Sequence, residues 1–188
     1  IVQNDTGQYT VWCTGSILTP KLVLTAAHCR GFSKDEWIPI ENLKVVYGLD
    51  DLAKLNVSFI PKTIRSITKM NVHPNYKYRA YSDVMLIEVD EKVTFTDAIY
   101  PVCLPSEKRL DKNHLFQQFV TTVGFGPENP GNDTQMKQIS QKIRSFGFCK
   151  SKFRWKKLTD DEDTKIRGQM KKTLPAGFRD GLICSQNL

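Results

Sequence analysis

His28 follows the stretch LVLTAA and precedes Cys29, so that residues 22–29 read LVLTAAHC. An imidazole titrates close to neutrality and can take and return a proton at working pH. A histidine at the end of an apolar strand is, taken alone, more often a packed residue than a reactive one. Asp83 leads into Val84-Met85-Leu86-Ile87, and Ser82-Asp83 before a strand reads first as a turn. A carboxylate opening a buried strand is itself partly buried, however, and must find donors or pay heavily in lost solvation. An imidazole N–H is one suitable donor.

These residues need strands to hold them, and the chain supplies many short ones. Residues 9–13, 21–24, 43–48, 57–60, 84–89, 119–123, 139–144 and 182–184 are rich in β-branched, aromatic and aliphatic types. Turn signals separate them at Thr19-Pro20, His73-Pro74-Asn75 and 127–132. No repeat of fixed period and no low-complexity tract interrupts the pattern. Many short strands with few helical periods predict an all-β barrel or sandwich. One surface helix is expected within 159–172. Thr159 and Glu162 form a capping box, the acidic run 160–163 sits at its start, and Lys171 and Lys172 sit at its end. Ile166, Met170 and Leu174 give it only a narrow apolar stripe.

The 188 residues are 40% hydrophobic and 25% charged, enough for one sizeable core or two smaller ones. No apolar run approaches the roughly 20 residues that span a bilayer, and no signal peptide is visible at the start, so any targeting segment lies outside this chain. The net charge is +7. Its basic residues gather late, at Lys150, Lys152, Arg154, Lys156, Lys157, Lys165, Arg167, Lys171 and Lys172. Such a cluster is either a solvated face or a site for a polyanion such as heparin. The intervening acidic run and the lack of any zinc-finger, RRM or P-loop pattern argue against nucleic acid. Of the five cysteines, Cys13, Cys29, Cys103, Cys149 and Cys184, none forms a CxxC pair, so no structural zinc is expected. Sequons at Asn4, Asn56 and Asn132 in a cysteine-bearing chain favour a secreted, oxidised and glycosylated protein. An odd cysteine count leaves a free thiol or a partner in another chain.

The chain resembles the trypsin/chymotrypsin-like serine proteases. The matching stretches are CTGSILTPKLVLTAAHC at 13–29, HPNYKYRAYSDVMLIEV at 73–89, IYPVCLP at 99–105, TTVGFGP at 121–127 and GLIC at 181–184, in the family's order. The resemblance implies two packed six-stranded antiparallel β-barrels, the first over about 1–96 and the second, incomplete, over 97–188 with a long basic insertion at about 150–175. It implies that His28 is the general base of a Ser-His-Asp triad and that Asp83 holds its tautomer. It implies disulfides Cys13–Cys29 and Cys149–Cys184. Cys103 would tie the catalytic domain to a disulfide-linked propeptide chain of a zymogen, the alternative being a buried free thiol. Protein or peptide substrates follow, with hydrolysis through an acyl-enzyme and no cofactor. Some members carry a calcium loop, but residues 49–61 hold no clear cluster of carboxylates, so no metal is expected.

The resemblance is partial at both ends. A Gly-Asp-Ser-Gly-Gly motif, expected soon after Cys184, does not occur in the 188 residues. Ser16, Ser82, Ser140 and Ser185 lack its context, and none is nominated as nucleophile. Ile1-Val2 looks like the family's activated N-terminus, yet Gln3-Asn4 follows and Cys13 arrives early, so residues 1–13 align with the strand leading into the first bridge. The chain is therefore expected to be part of a longer catalytic domain and inactive alone. The alternative is a non-catalytic protease homologue acting as a secreted binding or regulatory protein.

Overall fold

The structure is a computed structural model, and it describes residues 1–5, 8–31, 34–56, 63–77, 81–105, 116–125, 134–145, 147–149, 151 and 184–187. The protein is mostly β. Strands β1 (Val2–Asp5), β2 (Gln8–Val11), β3 (Ser16–Thr19), β4 (Leu22–Thr25), β5 (Leu43–Val46), β6 (Ile64–Val72) and β7 (Met85–Val89) form one antiparallel sheet in the order β2-β1-β5-β6-β7-β4-β3. Strands β8 (Phe119–Gly124), β9 (Lys137–Arg144) and β10 (Cys184–Asn187) form a second sheet in the order β10-β9-β8. By internal contacts the chain divides into two units. The first comprises Ile1–Tyr76, Asp83–Leu104 and Gly124–Lys137, and contains the seven-stranded sheet. The second comprises Lys77–Ser82, Pro105–Val123 and Gln138–Leu188.

In the first unit the alternation of side chains decides which face turns inward. Buried positions fall at every second residue of β4 (Val23, Thr25), β5 (Leu43, Val45) and β7 (Met85, Ile87, Val89). Leu43 and Ile87 are fully buried, and each contributes about 2 kcal/mol by leaving water. Ala27, Cys29, Tyr47, Ile67, Met70, Val93 and Ile99 complete this core. Burial pushes the Tyr47 phenol up to about 12, so it stays neutral at ordinary pH.

Seven strands appear in this sheet where six are implied. The outer strands β2 and β3 are consecutive in sequence, separated only by residues 12–15, yet stand at opposite ends of the sheet. So short a link spans less than about 20 Å, so the sheet must curl until its two edges meet along this one stretch. Gly15 lies in the link, where an added Cβ would come within 2.7 Å of Val23 Cγ1. The close crossing therefore requires glycine there.

Strands expected at 9–13, 21–24, 43–48, 84–89, 119–123 and 139–144 correspond to β2, β4, β5, β7, β8 and β9; of that expected at 182–184, residue 184 opens β10 and the other two lie outside the described residues. The strands β1, β3 and β6 were not expected. The strand expected at 57–60, the helix at 159–172 and the basic residues from Lys150 to Lys172 lie outside the described residues. Among the described residues, no helix is long and apolar enough to cross a membrane.

Candidate active site

Strand register brings together residues far apart in the chain. In the β4–β7 ladder Leu22 faces Glu88 and Thr25 faces Met85. Continued by two positions, the same register would set Ala27 opposite Asp83. The chain leaves the ladder there and winds into a 3-10 turn, Ala27–Arg30. Small, buried Ala27 lets this turn sit low over the core, and His28 rises from it.

The contact made is double. The His28 backbone N–H donates to Asp83 Oδ1 at 2.9 Å, and His28 Nδ1 lies 2.7 Å from Asp83 Oδ2. An ionised carboxylate only accepts, so Nδ1 carries the proton and the basic lone pair falls on Nε2. Some 41% of the His28 side chain is exposed, against 19% for Asp83. The imidazole can therefore meet a substrate while the carboxylate stays behind it. An imidazole so held can accept a proton at Nε2 and be stabilised as imidazolium by the charge at Nδ1.

Three further ties fix the turn. Cys13 and Cys29 form a disulfide. The Trp12 indole N–H donates to the Cys29 carbonyl at 2.6 Å. Thr25 Oγ1 donates to the Thr14 carbonyl at 2.8 Å and lies 3.6 Å from Cys29 Sγ. Neither Trp12 nor Thr25 was singled out from sequence, although Trp12 adjoins a cysteine of the bridge. The turn ends at Gly31, whose φ of 133° and ψ of 159° are accessible almost only to glycine. A Cβ there would run into the Glu36 carbonyl. Gly31→Ala is expected to cost about 2 kcal/mol, and an unchanged urea midpoint would count against this account of the turn.

Atoms of Cys13, His28 and Cys29 lie within 4.8 Å of one another, close enough to suggest a metal site. The sulfurs are bonded to each other, however, and Nδ1 is engaged by Asp83, so the set cannot ligate a metal as thiolates and free imidazole. A cavity of about 810 Å³ in the first unit is lined by apolar side chains including Val11, Val45, Leu49 and Leu52. Neither His28 nor Asp83 lines it.

Cys103 is exposed, which corrects the alternative of a buried thiol, and it has no disulfide partner among the described residues. Cys149 is disulfide-bonded, and the side chain of its expected partner, Cys184, lies outside those described. Asn4 is half-buried in β1; Asn132 and the Asn56 side chain are outside the described set.

Comparison with known proteins gives a consistent result. The family model described as Trypsin matches residues 1–173. The chain is 28% identical over 145 residues to the venom serine protease Bi-VSP of Bombus ignitus, covering 75% of this chain and 38% of that protein. It is 26% identical over 178 residues to the proclotting enzyme of Tachypleus tridentatus, covering 93% of this chain and 44% of the relative. A venom serine protease of Polistes dominula is 28% identical over 145 residues, covering 76% of this chain and 50% of its own. The matched region is thus half or less of the length of each of these relatives.

Proposed function

Because this chain belongs to the trypsin family, we propose that the protein containing it is a secreted serine endopeptidase in which His28 is the general base and Asp83 orients it. The supporting observation is the double contact of the Asp83 carboxylate with the His28 backbone N–H and Nδ1. On this reading His28 takes the proton of a serine hydroxyl as it attacks a peptide carbonyl. It then returns that proton to the leaving amine, and the acyl-enzyme is hydrolysed. No Gly-Asp-Ser-Gly-Gly stretch occurs within the 188 residues, and on this reading the nucleophile is not one of them.

Other parts of the proposal follow from the family. Exposed Cys103 carries a disulfide to a propeptide chain of a zymogen, and Cys149 pairs with Cys184. The basic residues between Lys150 and Lys172 are, by their charge and not by the family, a candidate site for a polyanion, the other reading being a solvated face. Secretion agrees with the Cys13–Cys29 disulfide and with relatives named as venom proteases. Asn4, Asn56 and Asn132 are the candidate glycan sites.

A fluorophosphonate probe applied to the full-length protein tests the assignment. Covalent labelling that falls at least about 100-fold in rate in a His28→Ala variant is the expected result. Labelling indifferent to His28 removes the role given to that residue. A wild-type protein that resists the probe in its activated form identifies instead a non-catalytic homologue that binds partners.

A further inference from the structure

Asp83 is aimed from a backbone conformation that residues with a Cβ seldom adopt. Ser82, immediately before it, has a φ of 53°. In this left-handed region the Cβ crowds the following carbonyl, at a cost of roughly 1–2 kcal/mol. Ser82 is exposed, so its side chain gains no buried contact in return. Strain of this kind persists where the surrounding chain over-determines it.

The chain is fixed on both sides of Ser82. Behind it, Lys77 and Tyr81 exchange backbone hydrogen bonds at 3.0 Å in each direction. Ahead of it, the Val84 carbonyl accepts from the His73 N–H at 2.9 Å, and Met85 is paired with both Thr25 and Val72. Only residues 82 and 83 are left to redirect the chain into β7. An extended or right-handed residue at 82 would rotate the following peptide and swing the carboxylate away from one or both of its partners on His28.

We propose that Ser82 is a positioning residue: its left-handed backbone turns the Asp83 carboxylate so that one oxygen receives the His28 backbone N–H while the other receives Nδ1–H. The consequence for catalysis rests on the protease reading above, but the geometric statement does not.

Because Ser82 is exposed, substitution there changes backbone preference and little else. Ser82→Gly and Ser82→Asn accept a positive φ, whereas the β-branched Ser82→Val resists it. Proton NMR of the 188-residue chain reads the geometry directly through the low-field Nδ1–H resonance of His28. It is expected at the wild-type position in the Gly and Asn variants and lost or displaced in the Val variant. In the full-length protein Val should lower kcat on a peptide substrate roughly 10- to 100-fold with KM within about twofold, and Asn should retain wild-type values. Should the Val variant fail to fold, Ser82→Thr keeps the hydroxyl and adds only the branch, and carries the same comparison. A role confined to stability would lower the melting temperature of the branched variants yet leave the proton resonance and kcat unmoved, and that outcome overturns the proposal. Displacement of the resonance in a protein whose full-length wild type cleaves no peptide leaves the positioning role standing and removes the protease reading.

Discussion

Asp83→Asn is expected to lower kcat of the full-length protein about 10⁴-fold, the size of effect that follows removal of the charge from the aspartate of such a triad. The reason lies in the two bonds that the carboxylate makes. An asparagine is nearly the same shape and can still accept the His28 backbone N–H through its Oδ1. It then presents an NH2 group where Oδ2 stood, and that group donates. Nδ1 must turn acceptor, the ring proton moves to Nε2, and the atom that should receive a proton already holds one. The fold should survive, since each polar atom keeps a partner. Imidazole ¹⁵N shifts recorded on the 188-residue chain should show the proton exchanged between ring nitrogens, with the thermal midpoint little changed. A variant that retains wild-type kcat would mean that the carboxylate at 83 does not govern the reacting imidazole.

The second large effect concerns the bridge beneath the histidine. Replacing both Cys13 and Cys29 by alanine is expected to cost about 3 kcal/mol of stability, the loop-closure value for a separation of 16 residues. The midpoint of thermal unfolding should fall by roughly 6–12 °C for a chain of this length. Other ties to the same turn, the Trp12 indole bond and the Thr25 hydroxyl bond, are each worth about 1 kcal/mol net. Together they could hold the turn in the native state, but they leave the unfolded chain unconstrained. A double variant within about 0.5 kcal/mol of wild type would assign the turn to those hydrogen bonds instead. Dithiothreitol on the wild-type chain should cost at least as much as the double variant, since it also opens the disulfide of Cys149.

Residues 28 and 83 could be singled out as a pair only through the resemblance carried by TAAHC and the stretch at 73–89, since each taken alone reads as a packed residue or a turn. The second bond between them was not legible. That the backbone N–H of His28 as well as its ring meets Asp83 depends on the 3-10 turn, for which no residue in TAAHC is a signal by itself. Among the strands, β4, β5 and β7 announce themselves by short apolar runs, and their alternation is one of burial rather than of residue type. The longest, β6, does not. Its buried residues Ile67 and Met70 are three apart, because the register against β7 shifts between Ile67 and Lys69 and inserts Thr68. A bulge of this kind breaks the period of two on which strand reading depends. Strands β1 and β3 are too short and too polar to stand out, and exist through their pairing with β2, β5 and β4. The link at residues 12–15 was equally hidden: the sequence shows one strand before Cys13 and nothing to say that the continuation crosses to the far side of the sheet.

That link has a bearing on how the first unit opens. An ordinary sheet can fray from an outer strand inward, one ladder at a time. Here the segment at 8–19 belongs to both margins, so neither outer strand can peel away without pulling on the other, and the covalent loop through Cys29 draws β4 into the same event. Backbone amides of β4, β5, β6 and β7 should therefore exchange with deuterium as one block, at rates set by global opening rather than by strand position.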